Sequence, residues 1–258
     1  MPIDDDHDEA APLRWGGLVW RAAAVTVIVA GIAGFIVAVH GTGRTDDAAA
    51  AARDRASGAA RATIATAVKR SVDVFGHAGD GKPWTRMLNP NRQGAPLTFL
   101  VEKKRTGWVK VLLPTRPNGA TGWVRTSDVG LSSTDYRLDV SLHRHRVVLR
   151  KGTRTVLDRP AAVGAAKTPT PTGRFFVTVL LRPPDPHGAY GPYAFGLSAH
   201  STKLFHFGGG PGQVGMHGTD EPSSLGRPVS NGCVRVADDT VRALAKVVPL
   251  GTPVTIAN

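Results

Sequence analysis

Met216-His217-Gly218-Thr219, then an eleven-residue spacer from Asp220 to Ser230, then Asn231-Gly232-Cys233-Val234-Arg235: this stretch holds the only cysteine of a 258-residue chain. A free thiol is only a few per cent ionised at neutral pH, so a nucleophilic cysteine needs a base or a positive neighbour. His217, in a Gly-bearing turn upstream, supplies the base. Gly232 lets the backbone come close to a tetrahedral intermediate, where the amides of Gly232 and Cys233 would form an oxyanion hole. Arg235 can hold a carboxylate with its forked guanidinium. A lone cysteine is more often a small buried hydrophobe. Such a residue has no need of glycine before it, arginine two positions after it and a His-Gly turn upstream.

This pattern, His217-Gly218-Thr219, a spacer, then Ser230-Asn231-Gly232-Cys233-Val234-Arg235-Val236, resembles the signature of the L,D-transpeptidase catalytic domain, the YkuD family. The resemblance runs from about Asp135 to Ile256. Thr168-Pro169-Thr170-Pro171-Thr172-Gly173-Arg174-Phe175 is similar to the family's T-P-x-G-x-F segment, and Pro249-Leu250-Gly251-Thr252-Pro253-Val254-Thr255-Ile256 to its closing strand. Asn231 stands where most members have histidine, which leaves the nucleophile-base pair intact and alters a wall of the pocket.

The resemblance implies a peptidoglycan L,D-transpeptidase. Cys233 would be acylated by a stem tetrapeptide with release of D-alanine, and the acyl group would pass to an amine of a second stem. The alternatives are an L,D-carboxypeptidase on the same site and a non-catalytic wall-binding protein. His217 would act as base with its tautomer fixed by the Gly218 carbonyl, while Arg235, Asn231, Ser230 and Tyr193 would bind the substrate. The chemistry calls for no cofactor and no metal.

The implied fold is mainly β: a YkuD-like β-sandwich with one short helix over residues 134–258, the helix opening at Asp238-Asp239-Thr240. Arg137 to Leu142 alternates polar and apolar residues, as a half-buried strand does, and His143-Arg144-His145-Arg146 turns it into a hairpin. Those two histidines read as solvated turn positions rather than metal ligands. The Pro- and Gly-rich run from Arg182 to Tyr193 is long for a structureless loop, which points to a functional or mobile segment. In the family the equivalent region is a lid, so Tyr190 or Tyr193 would contact substrate. Phe207 to Gly212 lacks the Lys-Ser/Thr ending of a phosphate loop.

Residues 64–132 show short β-type runs between turn residues, with Gly107-Trp108-Val109 and Gly122-Trp123-Val124 fifteen positions apart. This resembles a small SH3-like barrel, with Trp108 and Trp123 either binding ligand or filling its core. Residues 41–63 are an Ala-rich linker with no apolar face wide enough for a core. Within residues 16–40, Ala22 to Val39 is an apolar run whose one polar member is Thr26, long enough for a transmembrane helix. A cleaved signal peptide is the alternative, but the residues after Val39 lack a small-x-small cleavage site. Arg14 and Arg21 flank the span and place residues 1–15 in the cytoplasm, with the catalytic domain facing the cell wall.

The net charge is +12, with 30 basic and 15 acidic side chains after Arg21. Such a surface suits an anionic wall, or is simply solvated. No helix-turn-helix, zinc or RNA-binding aromatic signature supports a nucleic-acid partner.

Overall fold

The computed structural model describes residues 61–207 and 209–258. The expected anchor at 16–40, the N-terminus before it and most of the linker lie outside these residues. Among the described residues no helix is long and apolar enough to cross a membrane.

The first unit comprises β1 (Ala62–Ala67), β2 (Ser71–Val74), β3 (Thr85–Leu88), β4 (Thr98–Arg105), β5 (Trp108–Leu112), β6 (Thr121–Arg125) and β7 (Val129–Thr134). Five of them form a sheet in the order β6-β5-β4-β1-β7, and β2 pairs with β3. Both Gly-Trp-Val units sit at strand starts, Trp108 opening β5 and Gly122 second in β6. The expected linker through residue 63 ends earlier, because Ala62 and Thr63 pair with Thr134 and Ser133 of β7. Alternating small and β-branched residues fit a strand bonded on both sides better than a tether. By the same pairing the unit runs through Thr134 rather than ending at 132. Ala65, Val72, Phe99, Val109, Val111 and Val124 fill its core.

The second unit comprises β8 (Tyr136–Ser141), β9 (Arg146–Lys151), β10 (Arg154–Pro160), β11 (Val163–Gly164), β12 (Gly173–Leu181), β13 (Ala194–His200), β14 (Gln213–His217), β15 (Pro228–Ser230), β16 (Val234–Arg235), helix α1 (Asp238–Val247) and β17 (Pro253–Ala257). Eight strands form one sheet in the order β10-β9-β8-β17-β12-β13-β14-β16, while β11 pairs with β15. The described chain is therefore mainly β with one α-helix. That helix is amphipathic: Thr240, Val241 and Leu244 are buried, and Val241 and Leu244 join Phe175, Leu197, Met216 and Val234 in the core. No side chain caps its start.

Successive side chains on a strand point to opposite faces, and β12 uses this to join the two units. Phe175 and Val177 face the second core, while Phe176 between them packs with Leu100 and Leu112 of the first unit. Around that apolar contact lies a polar one. Asn118 exchanges hydrogen bonds with the backbone of His200 at 2.8 and 2.9 Å. The Arg116 guanidinium donates to the carbonyls of Ser201, Leu204 and Pro211 at 2.6 to 3.2 Å. The first unit is thereby fixed beside the loop between β13 and β14.

Candidate active site

Strands β14 and β16 run parallel in the register Met216↔Val234 and His217↔Arg235, with Cys233 immediately before β16. With a period of two, Gly215, His217, Cys233 and Arg235 share one face of the sheet. The Gly215 N–H donates to Cys233 Sγ at 3.3 Å. Position 215 has room for no more than hydrogen without crowding. A Cβ there would lie 3.3 Å from the Phe195 carbonyl, 3.8 Å from His217 Cδ2 and 3.9 Å from Cys233 Sγ, in contact with both side chains.

His217 is 5% exposed. Its Nδ1 donates to the Gly218 carbonyl at 2.7 Å, which leaves Nε2 as the nitrogen able to accept a proton. Burial pushes the imidazole down to about 4, the Gly218 carbonyl opposing that effect and Arg235 adding to it. Burial also raises the Cys233 thiol, with the Gly215 amide and Arg235 acting against it. At neutral pH the pair is therefore thiol and imidazole rather than thiolate and imidazolium. The Tyr190 ring covers the imidazole, with centroids 4.8 Å apart and planes tilted by 50°. Burial and the nearby Cys233 both raise the Tyr190 hydroxyl.

The backbone around His217 is close-packed. A Cβ on Gly191 or on Gly218 would collide with Asp238 Oδ1. That same oxygen accepts the Thr219 N–H at 3.1 Å. Asp238, expected as a helix-start residue, thus ties α1 to the histidine turn and to the Pro/Gly-rich loop.

Gly232 has φ of +112°, a conformation that L side chains rarely adopt, and it makes the bend that presents Cys233. Its N–H donates to Ser230 Oγ at 3.1 Å, and Ser230 Oγ donates to the Cys233 carbonyl at 2.6 Å. Buried Ser230 thus braces the turn that carries Cys233, and its hydroxyl is engaged with that backbone rather than lining the cleft. Of the two amides expected in the oxyanion hole, that of Gly232 is engaged within the turn, which leaves Cys233 N–H. The segment from Thr168 to Thr170 holds the turn from outside: Thr168 Oγ1 donates to the Ser230 carbonyl at 3.1 Å, and Thr170 Oγ1 accepts the Gly164 N–H at 2.8 Å.

A cleft of about 570 Å³ opens over the pair, and Tyr190, Phe207, Gln213, His217 and Cys233 line it. Arg92 and Gln93 of the first unit complete its wall. Those two were missed in the sequence, because nothing local in the loop between β3 and β4 marks them and only the packing of the two units brings them there. Of the expected binding residues, Asn231 is exposed and does not line the cleft. Tyr193 also lies outside it: its ring sits against the Arg182 guanidinium and its carbonyl accepts the Gly218 N–H, so Tyr190 is the tyrosine at the site. Arg235 is half-buried and pairs with Glu221 at 3.1 Å, not with Asp238. His143 and His145 lie in the hairpin between β8 and β9, with His145 at φ of 51°.

Residues 135–256 match the family model of the L,D-transpeptidase catalytic domain, YkuD. The YkuD protein of Bacillus licheniformis, named as a candidate L,D-transpeptidase, is 40% identical over 121 residues, which cover 47% of this chain and 65% of that protein. Its counterpart in Bacillus subtilis is 37% identical over 121 residues with the same shares. The match thus spans just under two thirds of these relatives and about half of this chain. Among solved structures, an L,D-transpeptidase from Mycobacterium smegmatis is 18% identical with a TM-score of 0.39, covering 60% of this chain and 79% of that one. The family model and the Bacillus relatives together support a YkuD-type catalytic domain in residues 135–256.

Proposed function

We propose that this chain is a peptidoglycan L,D-transpeptidase with Cys233 as nucleophile and His217 as base. The observation that carries the reading is the Gly215 N–H on Cys233 Sγ at 3.3 Å, in a strand pair that sets His217 on the same face of the cleft. Sγ attacks the carbonyl that precedes the terminal D-alanine of a stem tetrapeptide. Because both partners start neutral, His217 Nε2 takes the thiol proton during the attack, a contribution of about 10²- to 10⁴-fold for a well-placed base. The Cys233 amide faces the developing oxyanion. The C–N bond then breaks, the leaving amine takes the proton from His217, and a thioester remains. An amine of a second stem attacks that thioester, the C–S bond breaks, and the amine's proton returns through His217 to the thiolate.

The chain's other parts take roles consistent with this chemistry. Residues 16–40 anchor it in the membrane, residues 62–134 form an SH3-like module, and the catalytic unit faces the wall. The test is product analysis with a disaccharide-tetrapeptide. Released D-alanine together with a cross-linked dimer is the expected result. A shortened stem alone would make the chain a carboxypeptidase, and an unchanged substrate would overturn the enzyme reading.

A further inference from the structure

A second cavity, of about 600 Å³, lies between the two units. Trp84, Met87, Leu88 and Arg92 wall it on one side, and Thr178, His200, Pro211 and Gln213 on the other. It adjoins the catalytic cleft: Arg92, Gln93, Pro211 and Gln213 line both. The boundary between them is the hydrogen bond from Gln93 Nε2 to Gln213 Oε1, 2.8 Å long, made by two exposed or half-buried amides.

The lining is positive and holds no acid. Its charged members are Arg86, Arg92 and Arg116. Arg86 is neutralised by Asp73 at 2.6 Å. Arg116 donates only to carbonyls, so its charge is not cancelled. Arg92 takes part in none of the ion pairs among the described residues. The wall also carries unsatisfied groups of two kinds. Trp84 and Leu88, 56% and 71% exposed, lie together on this one wall and give it an apolar patch. His200, 7% exposed, lines the cavity, and its Nδ1 has no hydrogen-bond partner. Buried polar atoms without partners are rare and call for an explanation.

We propose that this cavity seats the acceptor: a carboxylate-bearing peptide whose free amine passes the Gln93–Gln213 boundary to reach the acyl group on Cys233. The inference rests on the transferase reading and adds to it the place of the second substrate. Arginine forks match carboxylates in geometry as well as charge. A field from Arg92 and Arg116 also disfavours the ammonium form of a nearby amine, and only the free base can attack a thioester. The apolar platform of Trp84 and Leu88 takes the aliphatic part of the peptide. The first unit is then a part of the substrate site and not only a spacer.

The experiment uses the full chain with a disaccharide-tetrapeptide donor and a tripeptide stem ending in a diamino acid as acceptor. The readout is the ratio of cross-linked to hydrolysed product, taken by mass spectrometry. Because this partition follows formation of the acyl-enzyme, differences in donor binding cancel. Arg92→Ala is expected to lower the ratio about tenfold, the usual worth of a charge-assisted hydrogen bond, and Trp84→Ala about threefold or more. Added salt lowers it as well. Ratios within twofold of the unmodified protein for both variants would overturn the proposal, as would transfer blocked by a neutral N-acetylglucosamine oligomer but not by excess acceptor tripeptide. Binding is read separately by calorimetry of the tripeptide on Cys233→Ala, where Arg92→Ala in the same background should weaken it about tenfold. Tripeptide binding that depends on Arg92, in a protein that forms no acyl-enzyme, would keep the cavity assignment and remove the transferase reading. Absence of binding would overturn the cavity assignment alone.

Discussion

Acidification should destabilise this protein through His217 specifically, by an amount that a variant without the ring does not lose. The imidazole titrates at about 4 when folded, against 6.5 for an unperturbed ring. Between those values the unfolded chain binds a proton that the folded chain refuses, so stability is complete above about pH 6.5 and falls as the pH drops toward 4. The linkage relation gives a loss of about 1.4 kcal/mol at pH 5.5 and about 2.6 kcal/mol at pH 4.5 relative to neutral pH. For about 200 structured residues the first figure is a fall in Tm of about 3–5 °C. The assay is thermal unfolding of the wild type and His217→Gln at pH 7.5 and 5.5. Other groups, buried His200 among them, contribute equally to both proteins and drop out of the double difference. The wild type should lose about 1.4 kcal/mol more than the variant. Equal losses would mean that the ring titrates normally, and would refute the argument that burial keeps the base neutral.

Other expectations follow from the packing. Gly218→Ala puts a methyl group against Asp238 Oδ1 and close to Gly191 Cα at 2.9 Å, and should cost about 1–3 kcal/mol by denaturant unfolding. It should also abolish acylation, since the carbonyl that orients His217 moves; a variant of unchanged stability and rate would contradict the close packing. Phe176→Ala empties the contact between the units and should cost about 3–5 kcal/mol. The loss should appear as separate unfolding of the two units in calorimetry, and retention of a single transition would count against the joint. Glu221→Gln frees Arg235 from a partly exposed ion pair. If Arg235 holds a donor carboxylate, the apparent KM for the donor should fall up to about fivefold, in keeping with the small worth of such pairs. A raised KM would mean that the pair serves structure only.

Part of the core of the second unit was legible in its pattern: the alternation in Arg137 to Leu142 is that of β8, while Phe175 to Leu181 is a continuous apolar run that falls in β12, buried on both faces over Phe175 to Val179. That Cys233 and His217 come together was legible because glycine, cysteine and histidine at that spacing ask for a chemical reason, and the structure sets both in one cleft. Ser230, Asn231 and Tyr193 were not, since whether a polar side chain turns toward a cleft or into its own backbone depends on partners remote in sequence. Thr168 shows this: it reaches Ser230 across 62 positions. Tyr190 and Tyr193 differ by three residues in one loop, yet the Tyr190 ring lies over His217 while the Tyr193 ring lies against Arg182, a difference that no local pattern marks. The start of β1 at Ala62 was hidden for the same reason, because the alanine-rich sequence before it continues into the strand without a break and only pairing with β7 sets the boundary.

The central claim is that Cys233 is a nucleophile made competent by His217, and intact mass after incubation with a carbapenem tests it most directly. The account predicts one adduct on the wild type, none on Cys233→Ala, and formation slowed by about 10²-fold or more on His217→Gln. An unmodified wild type that remains folded, or an adduct that persists in Cys233→Ala, would contradict it.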